Sequence, residues 1–403
     1  MEAWTWPQPP GPPGEVVWLA AVLVAGALMG EAIARTTRWP RVVGYTLAGA
    51  GAAAFGLHLS VPMPDTARWV IDLALALLLF EIGTRVHLRW LRHNPGLLAT
   101  SLLEALGTAV AVYAALLLLD LPPAVAAAAA VLAVPASAAV AGRVALELGA
   151  DGQVTQRMTH LTALNTLYGV LALIVLKGVL LADGAPGWWQ QLLALGASSL
   201  GALVLAAALA LAVARVARRL DLRHESAVLL LLGLVLLAVG TARWLGFSTL
   251  LVPLLAGLLL RNTTERPWVW PRHFGTAGGV LVLLLFVYLG ALWSPGLLAA
   301  GGAAALALVL ARGLAKGVVV MGLARWSGAS SRQALALSIT LTPLSAAALV
   351  MLGELWLALP ALAAQVAPVL LTALVVLELL GPIAVQQAFK LAGELPANGR
   401  EAR

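Results

Sequence analysis

Three ionisable residues inside long apolar stretches are the first candidates for chemistry: Glu104, Arg312 and Lys316. A charged side chain inside a bilayer is costly and by default indicates function. Glu104 and Arg312 are 208 residues apart, and Lys316 follows Arg312 by one helical turn on the same face. We expect Glu104 and Arg312 to offset the charge of unpaired helix ends. Lys316 could instead release a proton, because desolvation favours its neutral form. A structural ion pair is the alternative.

Two prolines that are also 208 residues apart interrupt the apolar stretches, Pro135 and Pro343. The first stands in the segment Pro-Ala-Ser-Ala-Ala and the second in Pro-Leu-Ser-Ala-Ala. A proline removes a backbone donor and clashes with the preceding turn, so a helix breaks or kinks there. The matched pair, with Ser137, Ser345 and Thr342 nearby, predicts two crossed, discontinuous helices. Two simple proline kinks are the alternative.

The most polar patch in any apolar stretch is residues 160–168, which contain Asn165 and Thr166. Its helix is predicted to enter the bilayer near Gln156, so the two residues lie ~15 Å deep at 1.5 Å per residue. That depth is close to the midplane. Oxygen atoms here and beside the two prolines could bind a dehydrated cation, whereas an interhelical hydrogen-bonding patch is the alternative.

Other ionisable residues have simpler interpretations. Glu81 precedes Arg85 by one turn near the end of its span, so a local pair is as plausible as a site. Glu147 has a basic residue one turn earlier, which predicts another local pair. Three more stand alone in apolar helices or near their ends: Lys177, Glu354 and Glu378.

The composition predicts the elements that must position these residues. Hydrophobic residues make up 61% of the 403 residues and charged residues 11%, whereas a soluble domain carries about 25% charged residues. The sequence therefore predicts an all-α, polytopic membrane protein in a lipid bilayer. Thirteen spans are predicted: 16–34, 42–59, 68–86, 96–119, 122–148, 156–182, 188–213, 226–242, 247–260, 275–293, 296–323, 333–353 and 361–388.

The basic residues predict how these spans are oriented. Most of the 25 Lys and Arg residues fall in alternate connections, which is typical of cytoplasmic loops. This places the N-terminus outside and the C-terminus in the cytoplasm of a bacterial inner (plasma) membrane. We expect an external tail at residues 1–15, a membrane transporter domain at 16–389 and a cytoplasmic tail at 390–403.

Short motifs recur at nearly one offset, which indicates an internal repeat. Leu47-Ala48-Gly49 returns as Leu-Ala-Gly 208 residues later, and Leu-Leu-Leu-Phe at 77–80 returns 206 residues later. Spans 1–6 thus repeat as spans 8–13. An offset of seven spans turns the second copy upside down, and inverted repeats are typical of secondary transporters.

Several classes of function are excluded or disfavoured by the residue types. The chain has no cysteine, so it has neither a disulfide framework nor a thiolate site. Metal-ligand spacing and paired catalytic acids are missing, so we expect no enzyme activity, no metal site and no cofactor. The net charge of +7 lies in the connections, so we expect no nucleic-acid partner.

Six segments together resemble the monovalent cation:proton antiporter superfamily, the sodium/hydrogen exchanger family, and most of all its bacterial potassium-efflux-type branch. They follow the family's order and spacing through nearly the whole chain: Val42–Gly49, Leu77–Gly83, Leu88–Arg92, Leu254–Leu260, Ala311–Lys316 and Leu341–Pro343. The resemblance implies the sodium/proton antiporter fold and a homodimer.

The resemblance also implies that the spans form two domains. A core domain, with spans at about 96–182 and 296–388, would slide against a dimer domain, with spans at about 16–86 and 226–293. The family carries a coupling carboxylate in the middle of span 6, where this chain has Asn165-Thr166. Lys316 matches a basic position of the late core helices.

Three hypotheses follow. The first is antiport of a monovalent cation, Na⁺ or K⁺, against protons by alternating access, with Glu81, Glu104 or Lys316 as the titrating group. Ser137, Asn165, Thr166, Ser345 and Thr342 would then supply oxygens to the cation. The second is an uncoupled, channel-like carrier of an anion or small polar solute. The third is a non-transporting sensory or assembly module.

Overall fold

The computed structural model describes residues 15–55, 65–182, 188–219, 225–264 and 274–396. Within these ranges the chain is all-helical, apart from one isolated antiparallel bridge between Ala136 and Leu344. Most of the predicted external tail and the end of the predicted cytoplasmic tail lie outside the described residues. The first eight helices are α1 (Glu15–Thr36), α2 (Arg41–Ala54), α3 (Asp65–Arg85), α4 (Leu88–Arg92), α5 (Pro95–Leu117), α6 (Pro123–Leu132), α7 (Ala138–Leu148) and α8 (Gln153–Ala182).

Eight further helices complete the described part of the chain. They are α9 (Trp188–Arg219), α10 (Glu225–Trp244), α11 (Leu251–Thr263), α12 (Phe274–Ala291), α13 (Pro295–Gly322), α14 (Ser331–Thr340), α15 (Ala347–Ala358) and α16 (Pro360–Ala392). Every predicted span overlaps a helix, and two predicted spans, 122–148 and 333–353, are each divided into two helices. By length and apolar composition, five helices among the described residues can cross a membrane: α5, α8, α9, α13 and α16.

Local sequence explains where several of these helices begin. Proline occupies the first turn of α5, α6, α13 and α16, where its missing N–H would have no partner and its fixed φ suits the helix. Ser294 caps α13 by accepting a hydrogen bond from the N–H of Leu297. Inside α13, Gly302 adopts a φ of 37°. The predicted span 296–323 is therefore kinked near its start, which composition alone did not indicate.

Helices α2 and α12 are in backbone contact. A Cβ added at Gly49 would overlap the carbonyl oxygen of Val287, and one added at Gly290 would overlap that of Thr46. Small residues let membrane helices approach this closely.

Helices α11 and α3 make the same kind of contact. A Cβ at Gly257 would overlap the carbonyl oxygen of Phe80, and one at Gly83 would overlap that of Leu254. Each of the four residues in this contact corresponds to a residue of the α2–α12 contact 207 or 208 positions away. The packing therefore recurs at the offset that the sequence motifs predict.

The start of helix α8, which carries Asn165, is hydrogen-bonded to the segment that follows α16. The carboxylate of Glu394 accepts hydrogen bonds from the backbone N–H groups of Val154, at 2.5 Å, and Thr155, at 2.9 Å. The Thr155 hydroxyl donates to the same carboxylate at 2.8 Å. An acidic group at this position satisfies free N–H groups and complements the positive end of the helix dipole.

The glycine contacts predict a sharp difference between two positions on one helix. Gly49→Ala should destabilise the protein by about 1–3 kcal/mol, because the new methyl group overlaps the α12 backbone. Gly51 has open space around it, so Gly51→Ala is the matched control and should be neutral or stabilising by about 0.5–1 kcal/mol. Thermal unfolding of the purified protein in detergent measures both, and equal stability of the two variants would contradict the backbone contact.

Candidate functional site

The two helix interruptions lie against each other. The chain leaves the helical conformation between α6 and α7 and again between α14 and α15. The N–H of Ser137 donates to the carbonyl of Pro343 at 2.9 Å, and the N–H of Ser345 donates to the carbonyl of Pro135 at 3.2 Å. These reciprocal bonds join the two proline segments, which the sequence places 208 residues apart.

The hydroxyl groups predicted to bind a cation also make local contacts. Ser137 Oγ accepts from the N–H of Val140 at 3.2 Å, and Ser345 Oγ accepts from that of Ala347 at 3.2 Å. Thr342 Oγ1 donates to the carbonyl of Ser338 at 3.2 Å. The three hydroxyl groups therefore make hydrogen bonds at the start of α7, the start of α15 and the end of α14. A cation bound to them would have to use their remaining lone pairs.

The Arg312 guanidinium lies between the carboxyl ends of α6 and α14 and is fully buried. Its three nitrogen atoms donate to carbonyl groups of both interruptions: Ala133, Val134, Pro135, Leu341, Thr342 and Pro343. The last carbonyls of a helix lack partners and carry partial negative charge. The single guanidinium group of Arg312 therefore satisfies the unpaired carbonyls at both broken helix ends.

Glu104 takes the alternative of an ion pair rather than the preferred position at a helix end. Instead of facing a helix end, its carboxylate forms a salt bridge with Lys316, and both side chains are 0% exposed. Asn165 Nδ2 donates to Glu104 Oε2 at 2.8 Å, and the Thr108 hydroxyl donates to Oε1 at 3.5 Å. Helices α5, α8 and α13 thus bring an acid, an amide and a base together, a group that we call the buried trio (Glu104, Asn165 and Lys316).

One atom of the buried trio is left unsatisfied. Asn165 Oδ1 is buried and has no hydrogen-bond partner among the described residues. An unpaired buried carbonyl oxygen costs about 1–3 kcal/mol, and such an oxygen is a ligand that hard cations prefer. The neighbouring Thr166 hydroxyl donates to the carbonyl of Thr162 at 2.9 Å, so it is already engaged.

The structure does not bring Glu81 to the buried trio. Its carboxylate pairs with Arg85 one turn later at 2.5 Å, and both side chains are partly exposed. Of the three proposed titrating groups, only Glu104 and Lys316 are therefore in contact with each other.

Two carboxylates whose partners the sequence did not predict join different parts of the helix array. Glu147, at the end of α7, accepts from the N–H of Arg41 at 3.1 Å and from its guanidinium at 3.2 Å. Glu354, in α15, accepts from the Ser248 hydroxyl at 3.0 Å and pairs with Lys177 at 3.4 Å.

These two contacts are equivalent within the repeat. Glu354 follows Glu147 by 207 residues, and Ser248 follows Arg41 by the same number. Each carboxylate binds next to the start of a helix, α2 or α11. The offset was available in the sequence, but a local pair with the basic residue one turn before Glu147 was the simpler interpretation.

Comparison with known proteins agrees with this architecture. The family model described as "Sodium/hydrogen exchanger, transmembrane" matches residues 20–391. A structure of the sodium proton antiporter MjNhaP1 from Methanocaldococcus jannaschii at pH 8 is similar, with a TM-score of 0.67 and 19% identity over 95% of this chain and 99% of that chain. A structure of the same antiporter from an electron-microscopy map has a TM-score of 0.71 and 18% identity over the same shares.

At such low identity the two structures show a shared fold. The sequence comparison found no match to a curated protein. The family model, however, covers most of the 403 residues. This chain is therefore a multi-pass, all-helical membrane protein that belongs to the sodium/hydrogen exchanger family.

Proposed function

We propose that the protein is a secondary transporter, rather than an enzyme, that exchanges a monovalent cation, Na⁺ or K⁺, for protons by alternating access. The observation that carries this proposal is the buried trio beside two interrupted helices, with an amide oxygen of Asn165 left unsatisfied. Membership of the sodium/hydrogen exchanger family supports it, as does the fold shared with a sodium proton antiporter.

The buried trio suggests how the two ions exclude each other. With Lys316 protonated, its charge cancels that of Glu104. When a cation binds the oxygens of Glu104 and Asn165, an N–H bond of Lys316 breaks and the proton passes to water on the open side. The site is then neutral again, as burial of charge in a bilayer requires. At this pair one cation is exchanged for one proton.

The proposed membrane arrangement has thirteen crossings in two inverted halves, with α6–α7 and α14–α15 as two crossed, discontinuous helices. The reciprocal bonds at the two proline segments and the repeated glycine contacts support it. The N-terminus is placed outside and the C-terminus inside a bacterial plasma membrane, by the distribution of basic residues. Two copies of the chain form the transporter.

Alternating access arises from sliding between two proposed domains, a core (α5–α8 and α13–α16) and a dimer domain (α1–α3 and α10–α12). Glu147 and Glu354 both belong to the core, whereas Arg41 and Ser248 belong to or adjoin helices of the dimer domain. In the proposed topology the Glu147 contact is cytoplasmic and the Glu354 contact external. Sliding breaks one contact at a time, so each acts as a latch on its own side.

The coupling mechanism predicts the behaviour of paired substitutions. Glu104→Gln alone should destabilise the protein by about 3–5 kcal/mol, because it leaves Lys316 buried and unpaired. Glu104→Gln combined with Lys316→Met should recover stability and still abolish cation-driven proton flux in proteoliposomes. Glu81→Gln is the control and should retain the flux.

Retained flux in the double variant would contradict the assignment of coupling to this pair. Solute movement without any proton flux in the unmodified protein would contradict antiport itself and favour the uncoupled carrier.

The latch contacts predict opposite effects on the two sides of the membrane. Glu147→Gln weakens the cytoplasmic contact by about 1.5 kcal/mol, or roughly tenfold in population. A single cysteine introduced by Thr166→Cys into this cysteine-free chain reports the result. Its labelling by an impermeant reagent from the cytoplasm should rise with Glu147→Gln and fall with Glu354→Gln. If both variants label like the parent, the two carboxylates are not latches.

A further inference from the structure

Helices α8 and α16 pack in the same way against the two proline segments. A Cβ added at Gly169 of α8 would lie 2.7 Å from Cγ of Pro135, and one added at Gly381 of α16 would lie 2.9 Å from Cβ and Cγ of Pro343. Gly169 and Gly381 are 212 residues apart. These contacts therefore align the two helices with a shift of one turn from the offset of the sequence motifs.

In this alignment Glu378 takes the place of Thr166. Thr166 precedes Gly169 by three residues, and Glu378 precedes Gly381 by three residues. Both side chains are almost fully buried. The position beside Asn165 is thus a hydroxyl group in the first half of the repeat, and its counterpart in the second half is a carboxyl group, which can bind and release a proton.

The surroundings of Glu378 do not support an ionised carboxylate in this conformation. The side chain is 0% exposed, and neither oxygen has a hydrogen-bond partner among the described residues. A buried carboxylate without a partner has a very high free energy, so the group takes up a proton instead. The environment of Glu378 therefore suits a neutral carboxyl group better than an ionised one.

Charged groups on the helices packed against α16 are bonded elsewhere. Those helices include α2, α6, α7, α8, α12, α13, α14 and α15. Arg41 binds Glu147, Lys177 binds Glu354, Lys316 binds Glu104, and Arg312 and Arg332 bind backbone carbonyls. The other titratable side chains on these helices, none of which is bonded to Glu378, are Tyr45, Arg143, Arg157, His160, Tyr168 and Tyr288.

The position of α16 explains how this proton could be released. The helix packs against α13, α14 and α15 of the core and also against α2 and α12 of the dimer domain. It therefore lies where the two proposed domains slide, and the surroundings of its buried side chains change when they do.

We propose that Glu378 is a second proton-binding site of the transport cycle, at the repeat-equivalent position of Thr166. When the core moves, the O–H bond of Glu378 breaks, its proton passes to water in the opened cavity, and a second entering monovalent cation balances the carboxylate charge, so that two cations exchange for two protons. This inference rests on the proposed function, because it assigns a further proton to the same cycle.

Three variants of the full-length protein in proteoliposomes test it. Glu378→Gln mimics the protonated acid in shape but cannot ionise, so cation-driven proton flux should fall by at least about tenfold. Glu378→Asp is a poorer fit but keeps an ionisable oxygen, so it should retain more flux than Glu378→Gln. A merely structural role predicts the reverse order, which would overturn the inference. Glu81→Gln is the control, with flux and spectra like those of the parent.

Infrared difference spectra of the purified protein separate this inference from the proposed function. The carbonyl band of a protonated carboxyl group should disappear when Na⁺ or K⁺ is added at alkaline pH, and Glu378→Gln should lack that change. A spectrum unaffected by Glu378→Gln overturns the inference, whether or not the parent transports. A parent without cation-driven proton flux overturns the proposed function, and the spectrum still reports whether Glu378 carries a proton.

Discussion

The hydrogen bonds from Arg312 to two broken helix ends are the interaction on which the rest of the structure depends. Inside a bilayer no water can satisfy free carbonyl groups, so an interrupted helix is tolerated only where protein donors replace it. The guanidinium meets this need because it is planar and presents five donors in a fixed arrangement. It bonds carbonyls of both Pro135 and Pro343. Non-helical backbone can therefore exist inside the bilayer.

Neutrality is the second constraint, and it follows from the first. All hydrogen bonds of Arg312 go to backbone carbonyls, so Glu104 needs another positively charged partner. Lys316, one turn later in α13, is that partner. The two basic residues thus have separate tasks although they are four positions apart. A site built this way tolerates replacement of one positive charge by another and resists any change in the total. Such a site fits the proposed exchange of a cation for a proton.

Sequence alone predicts the features that are local or repeated along the chain. Apolar runs gave the helices, the two prolines gave the interruptions, and ordered motifs gave the family. Contacts between helices that are distant in the sequence could not be predicted in the same way. Whether Glu104 faces a helix end or forms an ion pair could not be decided from the sequence, because the depth and rotation of α5 and α13 decide between the two. Glu378 was left isolated, because its equivalence with Thr166 needs the packing of Gly169 and Gly381 on the prolines. The shift of one turn there hides it from motif matching.

The carboxylate of Glu394 has a mechanical consequence. Glu394 lies two residues after α16 and bonds the first turn of α8, so the end of α16 is joined to the start of α8. Those helices carry Glu378 and Asn165. This contact resists lengthwise slip of the two helices past each other, and at the far end Lys177 of α8 pairs with Glu354 of α15, the helix that directly precedes α16. In the proposed transport cycle, Asn165 and Glu378 would therefore move along the membrane normal together.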